Sequence, residues 1–217
     1  MASTLERPFP SSIDLAGVLE DGPALDGVRS MAMCAAAVDA SLMISGARAA
    51  WRVSLARLIH EASDRASRRF TTVRCDGTPD SLLESKLFGR VRGGSSADQT
   101  EERGLLEAAD GGTLFLDEIG KAGPSILARL FRFLETGHVH RVGGESSTAR
   151  VNVRLITGTD DDLQDDVASG SFSSDLFYRL NVIHIALPPL GLRRGSAQVL
   201  AEKRLDRPAP ARGLHAL

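Results

Sequence analysis

The sequence predicts an α/β fold in which helices cover both faces of a parallel sheet. Short apolar runs of strand length alternate along the chain with segments whose apolar residues recur at helical spacing. The chain has 217 residues, of which 42% are hydrophobic and 25% are charged. This is the composition of a globular protein that is long enough to bury one large core.

The first half of the chain contains two predicted strands. The apolar run 41–45 ends at Gly46 and therefore predicts a buried strand that leads into a turn. Residues 89–103 are polar and rich in glycine and serine, which predicts a loop. In order, the predicted elements are a helix over 23–38, a strand over 41–45, a helix over 52–62, a strand over 71–75 and a helix over 79–88.

The second half continues the alternation. The apolar run 112–116 predicts a strand, and Pro124 in a first turn and Gly137 as a stop delimit the helix that follows it. The predicted elements after that strand are a helix over 124–134, a strand over 151–159, a short helix over 163–168 and a final strand over 181–187.

Charge and hydropathy exclude two classes of protein. The net charge of −2 argues against a protein that binds nucleic acid with its whole surface. No apolar run approaches the roughly 20 residues of a membrane helix, and residues 1–12 lack the apolar stretch of a signal peptide.

Cys34 and Cys75 lie far apart, which indicates thiols used as small core residues in a reducing compartment. We therefore expect a cytoplasmic protein that makes no contact with a membrane.

The chemistry-bearing segment is 111–120, a hydrophobic strand that delivers Asp117 and Glu118 at its carboxyl end. A nucleotide hydrolase needs this pair, because one carboxylate holds Mg²⁺ and the next polarises the attacking water. The alternative is an acidic strand end that caps a following helix.

A phosphate-binding loop is expected upstream, where the first strand turns into a helix. The matching segment is 46–53, which keeps Gly46 but has Trp51 at the second glycine position and Arg52 at the lysine position. A tryptophan is sterically unsuited to close backbone approach, and arginine offers a planar fork in place of a compact ammonium. The alternative is an ordinary turn into an amphipathic helix, with Trp51 as a packing residue.

The order and spacing of several longer segments add a family resemblance. These segments are 83–89, 111–120, 134–137, 141–144, 151–156, 175–182 and 187–190. Together they resemble the central AAA+ domain of bacterial enhancer-binding proteins, the NtrC-like activators of sigma-54 RNA polymerase. The resemblance covers residues 17–190 and implies a three-layer P-loop NTPase core. It also implies ring hexamers that bind ATP between subunits and use its hydrolysis to remodel the polymerase–promoter complex.

Carried over residue by residue, the resemblance assigns roles at six positions. Asp117 matches the Mg²⁺-site carboxylate, Glu118 the carboxylate that activates water, and Arg179 an arginine finger that reaches the neighbouring subunit's nucleotide. Gly46 and Arg52 fall in the phosphate-binding loop, and Asp160 falls where the family has an asparagine that senses the γ-phosphate.

The chain also departs from the family pattern. Ser173 stands at the family's second trans-acting arginine, and the extra carboxylate of Asp160 would repel a triphosphate. The segment 93–98 stands in place of the family's sigma-54 contact loop, GAFTGA, and lacks its aromatic residue and threonine. We expect no helical lid, DNA-reading helix-turn-helix or receiver domain. Residues 1–16 form a loose lead-in, and residues 191–217 form a basic tail with six cationic and two acidic side chains.

Three functions remain open from the sequence. The first is a degenerate regulatory module that keeps the AAA+ core, hydrolyses ATP weakly or not at all, and acts either by binding a related full-length activator or by binding nucleotide without turnover. The second is a working ATPase that remodels sigma-54 polymerase, which would require Arg52 to replace lysine and Trp51 to move away. The third is a non-functional remnant or passive scaffold, which the changed character of the tail favours.

Overall fold

The computed structural model describes residues 23–46, 49–92, 100–144 and 148–188. The predicted lead-in, the basic tail and the segment at the position of the sigma-54 contact loop lie outside these ranges. The described elements are, in order, α1 (Pro23–Ala36), β1 (Leu42–Ser45), α2 (Ala49–Glu61), β2 (Phe70–Arg74), α3 (Asp80–Phe88), β3 (Gly89–Arg92), β4 (Thr100–Arg103), α4 (Leu105–Ala108), β5 (Thr113–Asp117), a 3-10 turn (Ile119–Lys121), α5 (Pro124–Thr136), β6 (His138–His140), β7 (Thr148–Arg150), β8 (Arg154–Thr159), α6 (Leu163–Ser169), α7 (Ser174–Leu180) and β9 (Ile183–Ala186).

Five of the strands form one parallel sheet in the order β2-β5-β8-β1-β9. All five match strands that the sequence predicts, although the strand predicted over 151–159 begins only at Arg154. Because parallel strands end at the same edge of a sheet, the carboxyl ends of β1, β5 and β8 lie side by side. This edge brings together Ser45, Asp117 and Thr159, and it positions the candidate functional site.

The sheet is covered on both faces, as predicted. Successive strand residues point to opposite faces. Leu42 and Ile44 therefore pack in one buried cluster with Val28 of α1 and Leu55 of α2, whereas Met43 packs in the other. The second cluster holds residues of α3, α5 and α7 against the strands: Leu83, Leu87, Leu130, Leu176, Leu114, Leu116 and Leu155. The arrangement confirms the α/β fold with a helical layer on each side.

The sequence predicted a loop over residues 89–103, but the structure has two strands within this range. β3 and β4 form an antiparallel pair, in which Arg90 lies opposite Glu102 and bonds to its carboxylate. The polar composition concealed these strands, because neither shows the apolar alternation of a half-buried sheet. Gly89 and Gly104 allow the close approach, since a Cβ on Gly89 would lie 2.3 Å from the carbonyl oxygen of Glu102. Helices α4 and α7 were also missing from the sequence prediction.

The two cysteines differ in their surroundings. Cys75 is buried, and burial raises the pKa of its thiol to about 12. Cys34 is exposed on α1, so the prediction that it serves as a core residue is wrong. No helix in the described part of the chain is long and apolar enough to cross a membrane.

Arg65 joins elements at the amino end of the sheet. Its guanidinium bonds to both carboxylate oxygens of Asp39, at 2.8 and 2.6 Å. It also donates to the carbonyl oxygens of Gly112 and Asn152, each at 3.0 Å. These bonds tie the chain after α2 to the segments that enter β5 and β8, far from the carboxylates at the other end of the strands.

His60 makes the stability of the fold depend on pH. It is 3% exposed, its Nε2 donates to the carbonyl oxygen of Arg68, and its Nδ1 lies 2.9 Å from Thr113 Oγ1. Burial lowers the pKa of His60 from its ordinary 6.5. Between the folded and unfolded pKa values the unfolded chain binds more protons, so stability is lost as the pH falls below 6.5.

We therefore expect this residue to make the free energy of unfolding lower at pH 5.5 than at pH 7.5. Urea unfolding at the two pH values measures the drop. The His60→Gln variant, which cannot titrate, should show a smaller difference between the two pH values. An equal difference in both proteins would assign the pH dependence to other groups.

Candidate functional site

The acidic pair predicted from the sequence lies at the carboxyl end of β5. All five residues of β5 are buried, Asp117 is 0% exposed and Glu118 is 7% exposed. Glu118 has a φ of 56° and a ψ of 49°, in the left-handed region that is strained for a residue with a side chain. This conformation ends the strand at Glu118, directly before the 3-10 turn.

Arg52 bonds to both of these carboxylates. Its Nε donates to Asp117 Oδ1 at 2.7 Å, and its Nη2 donates to Glu118 Oε1. Its Nη1 donates to the carbonyl oxygen of Gly46 at 2.7 Å. The side chain is 1% exposed, so both bonds to the carboxylates form in the interior, whereas the bond to Gly46 is partly buried. We call Arg52, Asp117 and Glu118 the arginine–carboxylate cluster.

The neighbouring tryptophan fixes the direction of Arg52. Trp51 is 8% exposed and packs in the cluster of apolar residues between the sheet and helices α1 and α2, among them Ile185 and Leu187. Because Trp51 lies in this apolar cluster, Arg52, the next residue of α2, points to the other side of the helix, toward the carboxyl ends of β5 and β8. The interpretation of Trp51 as a packing residue is thus confirmed.

Gly46 lies where a phosphate-binding loop would begin, but the structure gives it a packing role. Its φ is 112°, and a Cβ there would lie 2.4 Å from the carbonyl oxygen of Leu187. Its backbone N–H donates to the carbonyl oxygen of Thr159 at 3.1 Å. A glycine is therefore required where the loop after β1 approaches the end of β9 and the end of β8.

Gly158 is a site residue that sequence reasoning missed. A Cβ at this position would lie 2.6 Å from Asp117 Oδ1, 2.8 Å from Phe115 Cζ and 3.2 Å from Arg52 Nε. The missing side chain leaves the space in which Arg52 meets Asp117. The available signal was a glycine inside a strand pattern, which indicates close approach of other groups.

Asp160 lies beside the arginine–carboxylate cluster, as the resemblance implied. Its backbone N–H is 3.4 Å from Glu118 Oε2. One carboxylate oxygen each from Glu118, Asp160 and Asp161 lies within 4.8 Å of the others, and Asp161 pairs with Lys121 at 2.7 Å. Among the described residues, these carboxylates and Asp117 share this edge of the sheet with the cations Arg52, Lys121 and, at the end of β2, Arg74.

Burial is the largest single influence on the pKa of each of these three groups. It disfavours the charged form of Arg52, but the interactions with Asp117 and Glu118 together outweigh burial and raise the pKa of the guanidinium. Burial raises the pKa of Asp117, and Arg52 opposes that rise. It also raises the pKa of Glu118, together with a hydrogen bond to Asp160.

Arg179 lies outside this cluster. It is in the last turn of α7, its side chain is 52% exposed, and its Nη2 is 3.5 Å from Glu135 Oε1. Ser173, at the position of the family's second trans-acting arginine, caps α7 by accepting a bond from the N–H of Leu176. Ser173 therefore has a local structural role in this chain.

A cavity of about 380 Å³ opens beside the cluster, at the carboxyl ends of β1 and β8. It is lined by Gly46, Asp160, Asn181 and His184, among others. In the part of the chain that the structure describes, neither Arg52 nor the two carboxylates bonded to it line this cavity. The guanidinium is therefore directed into the protein and is not presented to a molecule in the cavity.

The cluster does not suit the magnesium nucleotide that the fold implies. A Mg²⁺ ion needs carboxylate oxygens that are free to approach it or its water. Here one oxygen of each carboxylate is bonded to Arg52, which already supplies positive charge. The other oxygen of Asp117 is buried and has no hydrogen-bond partner among the described residues. In this arrangement the donor set does not fit a magnesium ion held on nucleotide phosphates.

Comparisons with known proteins give the family context. Residues 18–186 match the family model described as the sigma-54 interaction domain. The Nif-specific regulatory protein of Klebsiella pneumoniae is 38% identical over 213 residues, which are 96% of this chain and 40% of that protein. The regulatory protein AtoC of Escherichia coli K12 is 40% identical over 203 residues, which are 94% of this chain and 44% of that protein.

Solved structures agree with the sequence matches. NtrX from Brucella abortus, crystallised in complex with ATP, superposes with a TM-score of 0.75 at 32% identity over 84% of this chain and 41% of that one. The same protein in complex with ADP gives a TM-score of 0.75. This chain thus spans less than half the length of the relatives that it matches.

Proposed function

Because this chain belongs to the sigma-54 interaction domain family, we propose that it is a regulatory AAA+ module that acts through contacts with related activator subunits, without magnesium-dependent ATP hydrolysis. The observation that supports this proposal is the pairing of Arg52 with Asp117 and Glu118. Hydrolysis needs one carboxylate for the metal ion and the other for the attacking water. Arg52 bonds to one oxygen of each carboxylate and supplies positive charge beside both, and it therefore competes with the metal ion and with the attacking water for these groups.

The surface chemistry of the module supports action through protein contacts. Arg179 is half exposed, and beside it Tyr178 is 71% and Val182 60% exposed. Aromatic and arginine side chains are the residues that contribute most to protein interfaces. We call Tyr178, Arg179 and Val182 the α7 surface, and we propose that it receives a subunit of a related cytoplasmic activator. Contact with sigma-54 polymerase itself would be weak, because the contact-loop segment lacks the family's aromatic residue and threonine.

Binding to a purified relative tests the proposal. The chain is titrated with purified AtoC from Escherichia coli, with and without ATP, and ATP turnover is measured in parallel. We expect binding in both conditions, no turnover by the chain alone, and affinity at least about tenfold weaker for Arg179→Glu. The matched control is Arg69→Glu, a charge reversal at another exposed arginine, which should bind like the wild type.

Two results would contradict the proposal in different ways. Turnover by the wild-type chain that disappears in Glu118→Gln would identify a working ATPase. Absence of binding at concentrations up to about 100 μM, together with absence of turnover, would identify a remnant or passive scaffold.

A further inference from the structure

Arg52 connects three separate parts of the fold. Its three hydrogen bonds reach the loop after β1 through Gly46, the end of β5 through Asp117, and the residue after β5 through Glu118. Its Nε would also lie 3.2 Å from a Cβ on Gly158 of β8. The guanidinium therefore lies at the centre of the sheet edge at which parallel α/β folds usually bind their ligands.

We propose that Arg52 is a tethered cation that takes the place of a bound metal ion and locks this edge of the sheet, so that the conformation of the module does not respond to Mg²⁺ or nucleotide. This inference rests on the proposed function, because it concerns the same site. What it adds is the regulation of that site, in which an internal ion pair replaces a bound ligand. The lock forms without a ligand, because all three hydrogen-bond partners of Arg52 belong to the same chain.

Burial and packing support a lock rather than a transient surface contact. Arg52 is 1% and Asp117 0% exposed, so neither can exchange its partner for water without opening the interior. Exposed ion pairs contribute little, whereas removing one partner of a buried pair leaves an uncompensated charge. Trp51 is anchored in the apolar cluster on the other side, and Gly158 leaves room for Arg52 beside Asp117.

Removal of the tethered cation should create a site for a free one. Without Arg52, Asp117 and Glu118 would lose the cation that bonds to both of them, close to Asp160 and Asp161. Carboxylate oxygens are the ligands that Mg²⁺ and Mn²⁺ prefer. A free divalent cation should then take over the role that the guanidinium has in the wild type.

The first part of the test uses the unmodified chain. Trp51 is the only tryptophan in the sequence and directly precedes Arg52, so its fluorescence reports on this site. We expect neither the emission maximum nor the melting temperature to change when Mg²⁺, alone or with ATP, is added to about 10 mM. A saturable shift in either quantity would contradict the proposed lock. This measurement uses the wild-type chain and therefore needs no variant that could fail to fold.

The second part uses Arg52→Met. The melting temperature should fall by about 10 °C, and 10 mM Mg²⁺ without nucleotide should restore roughly 3–6 °C of it, as expected for a cation that binds with a millimolar dissociation constant. The matched control is Arg65→Met, which also removes a multiply bonded arginine but at the other end of the strands. It should melt earlier and gain nothing from Mg²⁺. An Arg52→Met variant as stable as the wild type and indifferent to Mg²⁺ would overturn the inference.

The outcomes separate the inference from the proposed function. A fluorescence shift with Mg²⁺ and ATP in a chain that shows no turnover and still binds AtoC would overturn the lock alone. A chain that does not respond to Mg²⁺ or ATP and also fails to bind AtoC would overturn the proposed function and leave the lock intact.

Discussion

Asp117→Ala is expected to lower the free energy of unfolding by about 3–5 kcal/mol. The substitution leaves Arg52, which is 1% exposed, with Glu118 and the carbonyl oxygen of Gly46 as its remaining hydrogen-bond partners among the described residues. A buried guanidinium that loses one of two carboxylates keeps its desolvation cost and loses part of the attraction that offset it. Urea unfolding of the two proteins, followed by circular dichroism, measures the difference.

A double-mutant cycle separates this pairing from the loss of packing. Arg52→Met, Asp117→Ala and the double variant are unfolded under the same conditions. The double variant should be destabilised by less than the sum of the single variants, with an interaction energy of about 1–3 kcal/mol, because no unpaired cation remains. Additive effects within about 0.5 kcal/mol would show that the pair is not coupled in solution.

Gly158→Ala is expected to be the second most damaging change, at about 3 kcal/mol. The added Cβ would lie 2.6 Å from Asp117 Oδ1 and 2.8 Å from Phe115 Cζ, and both residues are 0% exposed. Neither side chain has free space to move into, so the substitution must displace the Arg52–Asp117 pair or the strand. Urea unfolding of this variant beside the wild type measures the loss.

The matched control for this prediction is Gly27→Ala in α1. Apart from its chain neighbours and the backbone of its own helix, a Cβ on Gly27 would have no heavy atom of the described residues within 4 Å. Because the backbone of Gly27 is helical, the same substitution should be neutral or stabilising by up to about 1 kcal/mol. Equal stability of Gly158→Ala and the wild type would mean that the Arg52–Asp117 pair does not need the space that Gly158 leaves.

Much of the fold could be predicted because it depends on apolar periodicity. The run that became β5 and the stripe that became α5 were visible from their apolar residues alone, and Gly137 ends α5 in the left-handed conformation that its position suggested. The strands β3 and β4 escaped prediction because their cross-strand side chains include exposed charge pairs such as Arg90 with Glu102 and show no apolar alternation. Helix α7 was not predicted from its periodicity, although α6, which has the same length of seven residues, was.

Four residues of the site were predicted from the sequence, but the hydrogen bonds between them were not. The sequence pointed to Arg52, Asp117, Glu118 and Asp160, and the fold brings these four to one edge of the sheet. The bond between Arg52 and Asp117 was not predictable, because the two residues are 65 positions apart in the sequence. The phosphate-binding pattern instead predicted a nucleotide phosphate as the partner of Arg52. The glycine at position 158 inside a strand pattern indicated a close approach, but which groups approach it depends on the packing of neighbouring strands and of α2. The roles that the resemblance assigns to Arg179 and Glu118 stay predictions.

Direct binding of nucleotide would decide whether Arg52, and not a magnesium nucleotide, is the partner of Asp117 and Glu118. The purified chain is titrated with a fluorescent ATP analogue, in the presence and absence of Mg²⁺. We predict no saturable binding up to about 1 mM nucleotide and no effect of Mg²⁺. Micromolar binding that Mg²⁺ strengthens would contradict this prediction, because the two carboxylates would then have exchanged Arg52 for the metal ion.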